Sequence, residues 1–409
     1  MRIELITTGT ELLLGERLNS HTVWIGGKVR EVGLRLNRQT SVADGPDIRE
    51  IISEAIPRAN VIIVTGGLGP TSDDLTREIS AELLGRKLVE DAGVLAHLEA
   101  FFAARNRKVD GGSRRQAQVP EGAEVMSNPN GTAPGLYYPP GADHPAIFLL
   151  PGPPREMQPM FEHEVMARLR HLLGELPVPV SLQMRVSGLG ESDVARLLGK
   201  DVEEMPGLEL GFCLGQGDVE LRFIGTNEVA NKAAELARAR LGNHIISEDG
   251  ALLEAVVVRL LQEKGQTVAT AESCTGGFVA HRLTNIPGAS NVVMAGFVTY
   301  SNAAKTRDLN VPEAILAEHG AVSEPVAKAM AEGALARAET DHALSLTGIA
   351  GPGGGSAEKP VGTLWFALAS KGLPTLTVKA LYPNGRDRFK LLASQAALDL
   401  LRRRLQDLD

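Results

Sequence analysis

Asn60-Val61-Ile62-Ile63-Val64-Thr65 runs straight into Gly66-Gly67-Leu68-Gly69-Pro70-Thr71-Ser72-Asp73-Asp74. Consecutive β-branched apolar residues followed at once by glycines predict a strand buried on both faces of a parallel sheet. The glycines let backbone approach a ligand closely, and the amides opening the next helix form an anion site. Outward from this stretch, residues 2–8 and 35–42 read as strands and residues 21–32 and 46–58 as helices. Residues 146–150 form another buried run, ending at Pro151-Gly152-Pro153-Pro154 before a helix near Arg155. Strand, turn and helix repeated in this way predict a doubly wound α/β layer. Ligands of such layers bind at the carboxyl ends of the strands, where these turns fall.

Glu175-Leu176-Pro177-Val178-Pro179 reads as a linker. Beyond it a small α+β (KH-like) unit is expected, with strands at 182–187 and 219–224 and helices at 192–198 and 228–241. Residues 175–245 hold seven Lys/Arg against eleven Asp/Glu and no GxxG clamp for an RNA backbone, so this unit reads as a connecting module. A second break falls at Ser247-Glu248-Asp249-Gly250. A second α/β domain then follows, with strands at 267–270, 291–300, 343–347 and 363–369. Its helices lie around 252–264, up to 283, around 326–339 and from Arg386 onward. The expected domains are therefore 1–172, 173–248 and 249–409.

Composition narrows the function classes. The chain has 409 residues, 43% hydrophobic and 22% charged, which excludes disorder and coiled coil. Forty-two basic residues against 50 acidic ones give a formal charge of −8, poorly suited to coating nucleic acid or anionic lipid. No apolar run approaches the roughly 18 residues needed to span a bilayer. Glu4 and Glu11 fall where a signal peptide would be apolar. Cys213 and Cys274 cannot build a disulfide framework, and no CxxC suggests structural zinc. A cytoplasmic protein without membrane or direct nucleic-acid contact is expected.

Asp73 and Asp74 lie where the helix after the glycines begins, so they can cap amides, hold ribose hydroxyls or bind a divalent ion beside phosphate oxygens. Three further segments are expected at the same sheet edge: Thr7-Thr8-Gly9-Thr10-Glu11, Asn130-Gly131-Thr132-Ala133-Pro134-Gly135, and residues 150–154. Together they describe a phosphate-lined crevice. Gly9-Thr10-Glu11-Leu12-Leu13-Leu14-Gly15, Asn19, the GGLGPTSDD stretch and residues 150–154 resemble the molybdopterin-binding-like domain of the CinA (competence/damage-inducible) proteins. The resemblance implies a three-layer α/β fold and metal-dependent hydrolysis of ADP-ribose to AMP and ribose 5-phosphate. Glu11, Asp73 and Asp74 are then the metal or water-orienting candidates, with the metal's identity open. Gly9, Asn19, Gly66, Gly67, Gly69, Gly131, Thr132 and Gly152 are the substrate-binding candidates. A domain that binds a pterin or nucleotide without turnover is the alternative.

Ala271-Glu272-Ser273-Cys274-Thr275-Gly276-Gly277 follows a strand and opens a helix. A hydroxyl there lies beside backbone amides of the first helical turn, which could stabilise an oxyanion. Ser273 needs a base, and no histidine lies in the motif. Tyr300, expected at the end of its strand, and Lys305 can supply one: a buried lysine has a depressed pKa, and an adjacent tyrosine can relay a proton. Cys274 is a rival nucleophile. TAESCTGG, GFVTYSN with Lys305, HGAVSEPV, and the 348–363 loop resemble the nicotinamide-mononucleotide deamidase domain of the same family. The resemblance implies Ser273 as nucleophile with Tyr300 and Lys305 as its activating pair, and no cofactor. Thr275, Gly276, Gly277, Gly348, Gly351 and Arg386 are the substrate-binding candidates. It also implies a homodimer, small nucleotide substrates and, from the family's name, a protein partner in competence.

Overall fold

The computed structural model describes residues 1–174, 179–215 and 217–408. The linker read at 175–179 lies almost wholly outside them. The chain forms two compact units, Met1–Pro179 and Val180–Asp409.

The first unit is built on strands β1 (Ile3–Thr8), β2 (Leu36–Val42), β3 (Val61–Thr65), β4 (Leu88–Glu90), β5 (Gln118–Pro120), β6 (Glu124–Met126), β7 (Gly135–Tyr138) and β8 (Ala146–Leu150). Six of them form one sheet in the order β2-β1-β3-β8-β7-β6, and β4 pairs with β5 separately. β2, β1, β3 and β8 run parallel, while β7 and β6 are antiparallel. The apolar run at β3 explains itself here. Ile62 and Val64 enter one hydrophobic layer with Ile6, Ile147 and Leu149; Val61 and Ile63 enter the opposite layer with Leu5, Phe148 and Leu150. Period-two alternation therefore buries every residue of the strand, and helices cover both faces.

The second unit holds two sheets. β9 (Val180–Ser187), β10 (Glu209–Leu214), β11 (Asp218–Gly225) and β12 (Ile245–Ser247) form an antiparallel sheet ordered β10-β11-β9-β12. The helices Glu191–Leu198 and Asn227–Leu241 pack on it through Val194, Leu198, Ala233 and Ala237. The stretch read as a connecting module is thus packed in the same compact unit as the C-terminal sheet. That sheet comprises β13 (Val268–Glu272), β14 (Val293–Val298), β15 (His342–Gly348), β16 (Thr363–Ser370) and β17 (Leu373–Leu381), ordered β14-β13-β15-β16-β17. β13 lies parallel to both neighbours, whereas β16 and β17 return antiparallel.

One expected boundary bears on the site. The strand read as 291–300 stops at Val298, so Tyr300 stands beyond it in the turn before the helix Asn302–Leu309. β4, β5, β6, β7, β10, β12 and β17 were not expected; β4 to β7 have three or four residues each. β12 has three residues, and β10 and β17 are half-exposed strands lacking the clean alternation that marks a core strand. No helix among the described residues is long and apolar enough to cross a membrane.

Candidate active site

β13 is central in its sheet and delivers the chain to Ser273 at its carboxyl end. The Ser273 amide is fixed to the Leu346 carbonyl of β15 at 2.9 Å. Glu272, fully buried, turns its carboxylate onto the amides of Gly277, Val279 and Ala280 at 3.1, 3.0 and 2.9 Å. This side chain caps the helix Phe278–Thr284 from the residue next to the candidate nucleophile, and it places negative charge at the positive end of the helix. Three of the helix-start amides expected to face an oxyanion are therefore occupied by Glu272. Sequence reading missed that role, because the cap comes from five residues before Gly277 rather than from the usual adjacent position.

Lys305 is 1% exposed, and its Nζ lies 3.1 Å from Ser273 Oγ, 2.9 Å from the Thr299 carbonyl and 3.5 Å from that of Tyr300. Burial lowers its pKa below the ordinary lysine value. A neutral amine has two protons and one lone pair. Here the two carbonyls can take the protons, and the lone pair is left for the serine hydroxyl. Tyr300 contributes its backbone to this arrangement, not its phenol. Its side chain is 62% exposed, and its hydroxyl accepts from Arg386 at 3.1 Å. The expected Tyr300–Lys305 side-chain relay is thus not formed. Residues past the end of β14 need not alternate with it, so the tyrosine turns away.

Arg386 opens the C-terminal helix Arg386–Leu405 and also donates to the Gly351 carbonyl at 3.0 Å, tying the glycine-rich loop to the Tyr300 turn. Lys390, one turn further along, approaches Gly276 and lies 6.0 Å above the Phe278 ring. Gly277 holds the left-handed conformation, φ 93°, at the start of the nucleophile's helix. Gly348 packs against the Thr363 carbonyl, Phe389 and Cys274. Cys274 is buried in the core, and burial pushes its thiol up to about 12. Its thiolate is scarcely populated at neutral pH, so the rival nucleophile is inert packing. The Thr275 hydroxyl is buried without a partner among the described residues.

In the first unit the glycine turn after β3 has the close approach its sequence suggests. A Cβ at Gly66 (φ 101°) would collide with the Thr8 side chain, and one at Gly67 (φ 68°) with Thr76 Oγ1. Gly66 donates to the Leu150 carbonyl at 2.9 Å, and Gly152 packs against it, so three of the four expected segments meet at this edge. Among the described residues the Thr8 and Thr76 hydroxyls beside the turn are buried and unpartnered. His21, not singled out from sequence, bridges Thr65 Oγ1 at 2.9 Å and the Gly152 backbone, and burial lowers its pKa. Gly131 packs on Glu156, which accepts from Asn128 at 2.9 Å, and half-buried Thr132 follows it in the same loop. Asn19 spends its side chain on Thr7, Ser41 and the Thr22 amide.

The expected metal ligands are not gathered. Asp74 closes a turn on the Thr71 amide and hydroxyl and packs against Gly69, Asp73 is exposed, and Glu11 folds over Gly9. Among the described residues no group of three or more His, Cys, Asp or Glu side chains is placed to hold a metal ion. Asp74 folds back on its own loop, because a short Asp side chain after glycine caps a local amide.

Two family models match, the probable molybdopterin binding domain over residues 4–171 and the CinA C-terminal domain over residues 251–405. A CinA-like protein of Akkermansia muciniphila is 47% identical over 97% of this chain and 96% of its own length. This chain belongs to the CinA family. The CinA-like protein of Geobacter metallireducens is 40% identical, with 99% of each chain covered. The crystal structure of competence/damage inducible protein CihA from Agrobacterium tumefaciens is 44% identical, covering 36% of this chain and 91% of that one, with a TM-score of 0.36. Ser273, Lys305 and Arg386 all fall inside the stretch matched by the CinA C-terminal model, and the Gly66–Gly69 turn inside the molybdopterin-binding one.

Proposed function

We propose that the C-terminal site of this CinA chain hydrolyses the carboxamide of nicotinamide mononucleotide to nicotinic acid mononucleotide and ammonia. The reading rests on a buried amine 3.1 Å from a serine oxygen at the end of a central strand. Lys305, neutral, takes the Ser273 proton as Oγ attacks the carboxamide carbon. The ammonium so formed stands beside the developing oxyanion and returns its proton to the departing nitrogen. Water then cleaves the acyl-serine, again with Lys305 as base. In this reading Arg386 and Lys390 supply the positive charge that meets the nucleotide phosphate.

Ammonia release from nicotinamide mononucleotide, followed for the intact protein and for Ser273→Ala, tests this. Loss of turnover in the variant supports the reading, and unchanged release removes it.

For the N-terminal unit we infer a crevice for a pyrophosphate-bearing nucleotide such as ADP-ribose, cleaved to AMP and ribose 5-phosphate. Support comes from the two unpartnered threonine hydroxyls beside the Gly66–Gly67 turn, where a phosphate oxygen would find donors. Because Glu11, Asp73 and Asp74 do not form a ligand set, no step is assigned to a metal. Incubation with ADP-ribose, with magnesium and with chelator, separates the outcomes: AMP formed only with metal supports hydrolysis, whereas association without AMP makes the unit a binder.

A further inference from the structure

Within the second unit a cavity of about 500 Å³ lies between the ends of β9, β10 and β11 on one side and β16, β17 and the C-terminal helix on the other. Its size falls in the range of small-molecule sites, roughly 300–1,000 Å³. Phe366, Leu392, Ala396 and Leu400 give it apolar walls, and Arg388 and Gln395 are among its polar lining. Arg388 is exposed and has no ion-pair partner among the described residues. It is therefore available to an anion.

Gln395 is 3% exposed, and among the described residues its amide Nε2 has no hydrogen-bond partner. The orientation of that amide is fixed, because Oε1 accepts from Arg282 Nη2 at 2.7 Å. A buried amide donor left unmet costs free energy. A ligand acceptor within the cavity would remove that cost. Arg282 in turn donates to Ser394 and Glu254, each at 2.7 Å, and stands on the helix Phe278–Thr284 whose first turn Glu272 caps. The cavity is thus joined through Gln395 and Arg282 to the helix that follows Ser273.

We propose that this cavity is a second ligand site, distinct from the Ser273 centre, for a planar aromatic anion with a ring acceptor, the chemistry of a mononucleotide. The ring system lies between Phe366 and the C-terminal helix, its acceptor meets Gln395 Nε2, and its phosphate meets Arg388. Binding holds Gln395 and, through Arg282, steadies the helix that starts beside Ser273. The proposal is independent of what Ser273 does.

Hydrogen exchange of the full chain with AMP, adenosine and inorganic phosphate as probes tests it. AMP should slow exchange in residues 187–190 and 388–400 and, through Arg282, in residues 278–284. Any occupation of the N-terminal crevice is read separately at residues 65–76. Adenosine should bind at least several-fold more weakly than AMP, and phosphate alone should protect nothing there. Arg388→Ala, at an exposed position that leaves the fold intact, should weaken AMP about tenfold, and Ala396→Phe should fill the cavity and abolish the protection. AMP that leaves residues 187–190 and 388–400 unprotected, or that protects them equally in Arg388→Ala, overturns the proposal.

Discussion

At the residue scale, the chemistry turns on which form of Lys305 is present. Burial lowers its pKa, and the base must be the neutral amine. Falling pH protonates it, so kcat/KM should drop tenfold per pH unit on the acid side and level off at a pH below 10.5, the ordinary lysine value. Lys305→Met keeps much of the length and loses the base. Its kcat should fall roughly 10²–10⁴-fold and the acid limb should disappear. Tyr300→Phe removes only a hydrogen bond to Arg386, so KM should rise a few-fold while kcat stays nearly constant. A kcat loss of a hundredfold would show that the phenol swings in to relay the proton after all. Cys274→Ala should retain turnover, since its thiol is pushed up to about 12 and packs in the core. Ser273 and Lys305 were legible from sequence as a pair. The phenol's direction was not, because side chains in a turn point wherever local dihedrals send them.

At the element scale, the nucleophile's position depends on one buried carboxylate at a helix start. Glu272→Gln preserves shape but replaces an acceptor of three amides with a group that carries its own N–H donors. Hydrogen bonds to a charged group contribute about 1.5–3 kcal/mol, so the variant should unfold earlier by that order in denaturant titration. Its ammonia release should fall as well, because the turn holding Ser273 loses its anchor. Unchanged stability would mean that the cap is incidental. Of the strands that sequence identified, β3 and β8 are buried on both faces, while β2 and β14 were legible although half exposed. The missed ones are short or half exposed, where burial supplies little pattern to read.

At the scale of the whole molecule, the two units each carry their own hydrophobic layers. Calorimetry of the full chain should show two transitions. Phe148→Ala, in the core of the first unit, should lower one of them, by about 3–5 kcal/mol, and leave the other in place. A single transition that shifts as a whole would make the units one cooperative body. The expected homodimer has candidate apolar surface on β14, an edge strand exposing Met294 and Val298, and around Leu13, Leu14 and Leu18. Sedimentation should return twice the 43.5 kDa chain mass, and charged replacements at Met294 and Val298 should reduce it if that edge is used. By itself, the sequence determined the α/β class, the main buried strands, the turns at their carboxyl ends and the likeness to the CinA family. Periodicity and glycine placement are local properties, and a motif is contiguous along the chain. Only the tertiary structure decided that Glu272 caps the nucleophile's helix, that Tyr300 turns to Arg386, and that Glu11, Asp73 and Asp74 do not gather into a metal-holding group. Tyr300 and Arg386 lie 86 residues apart, and the contacts of Glu272 and Asp74, though local in sequence, follow from turn geometry that is set only when the elements pack.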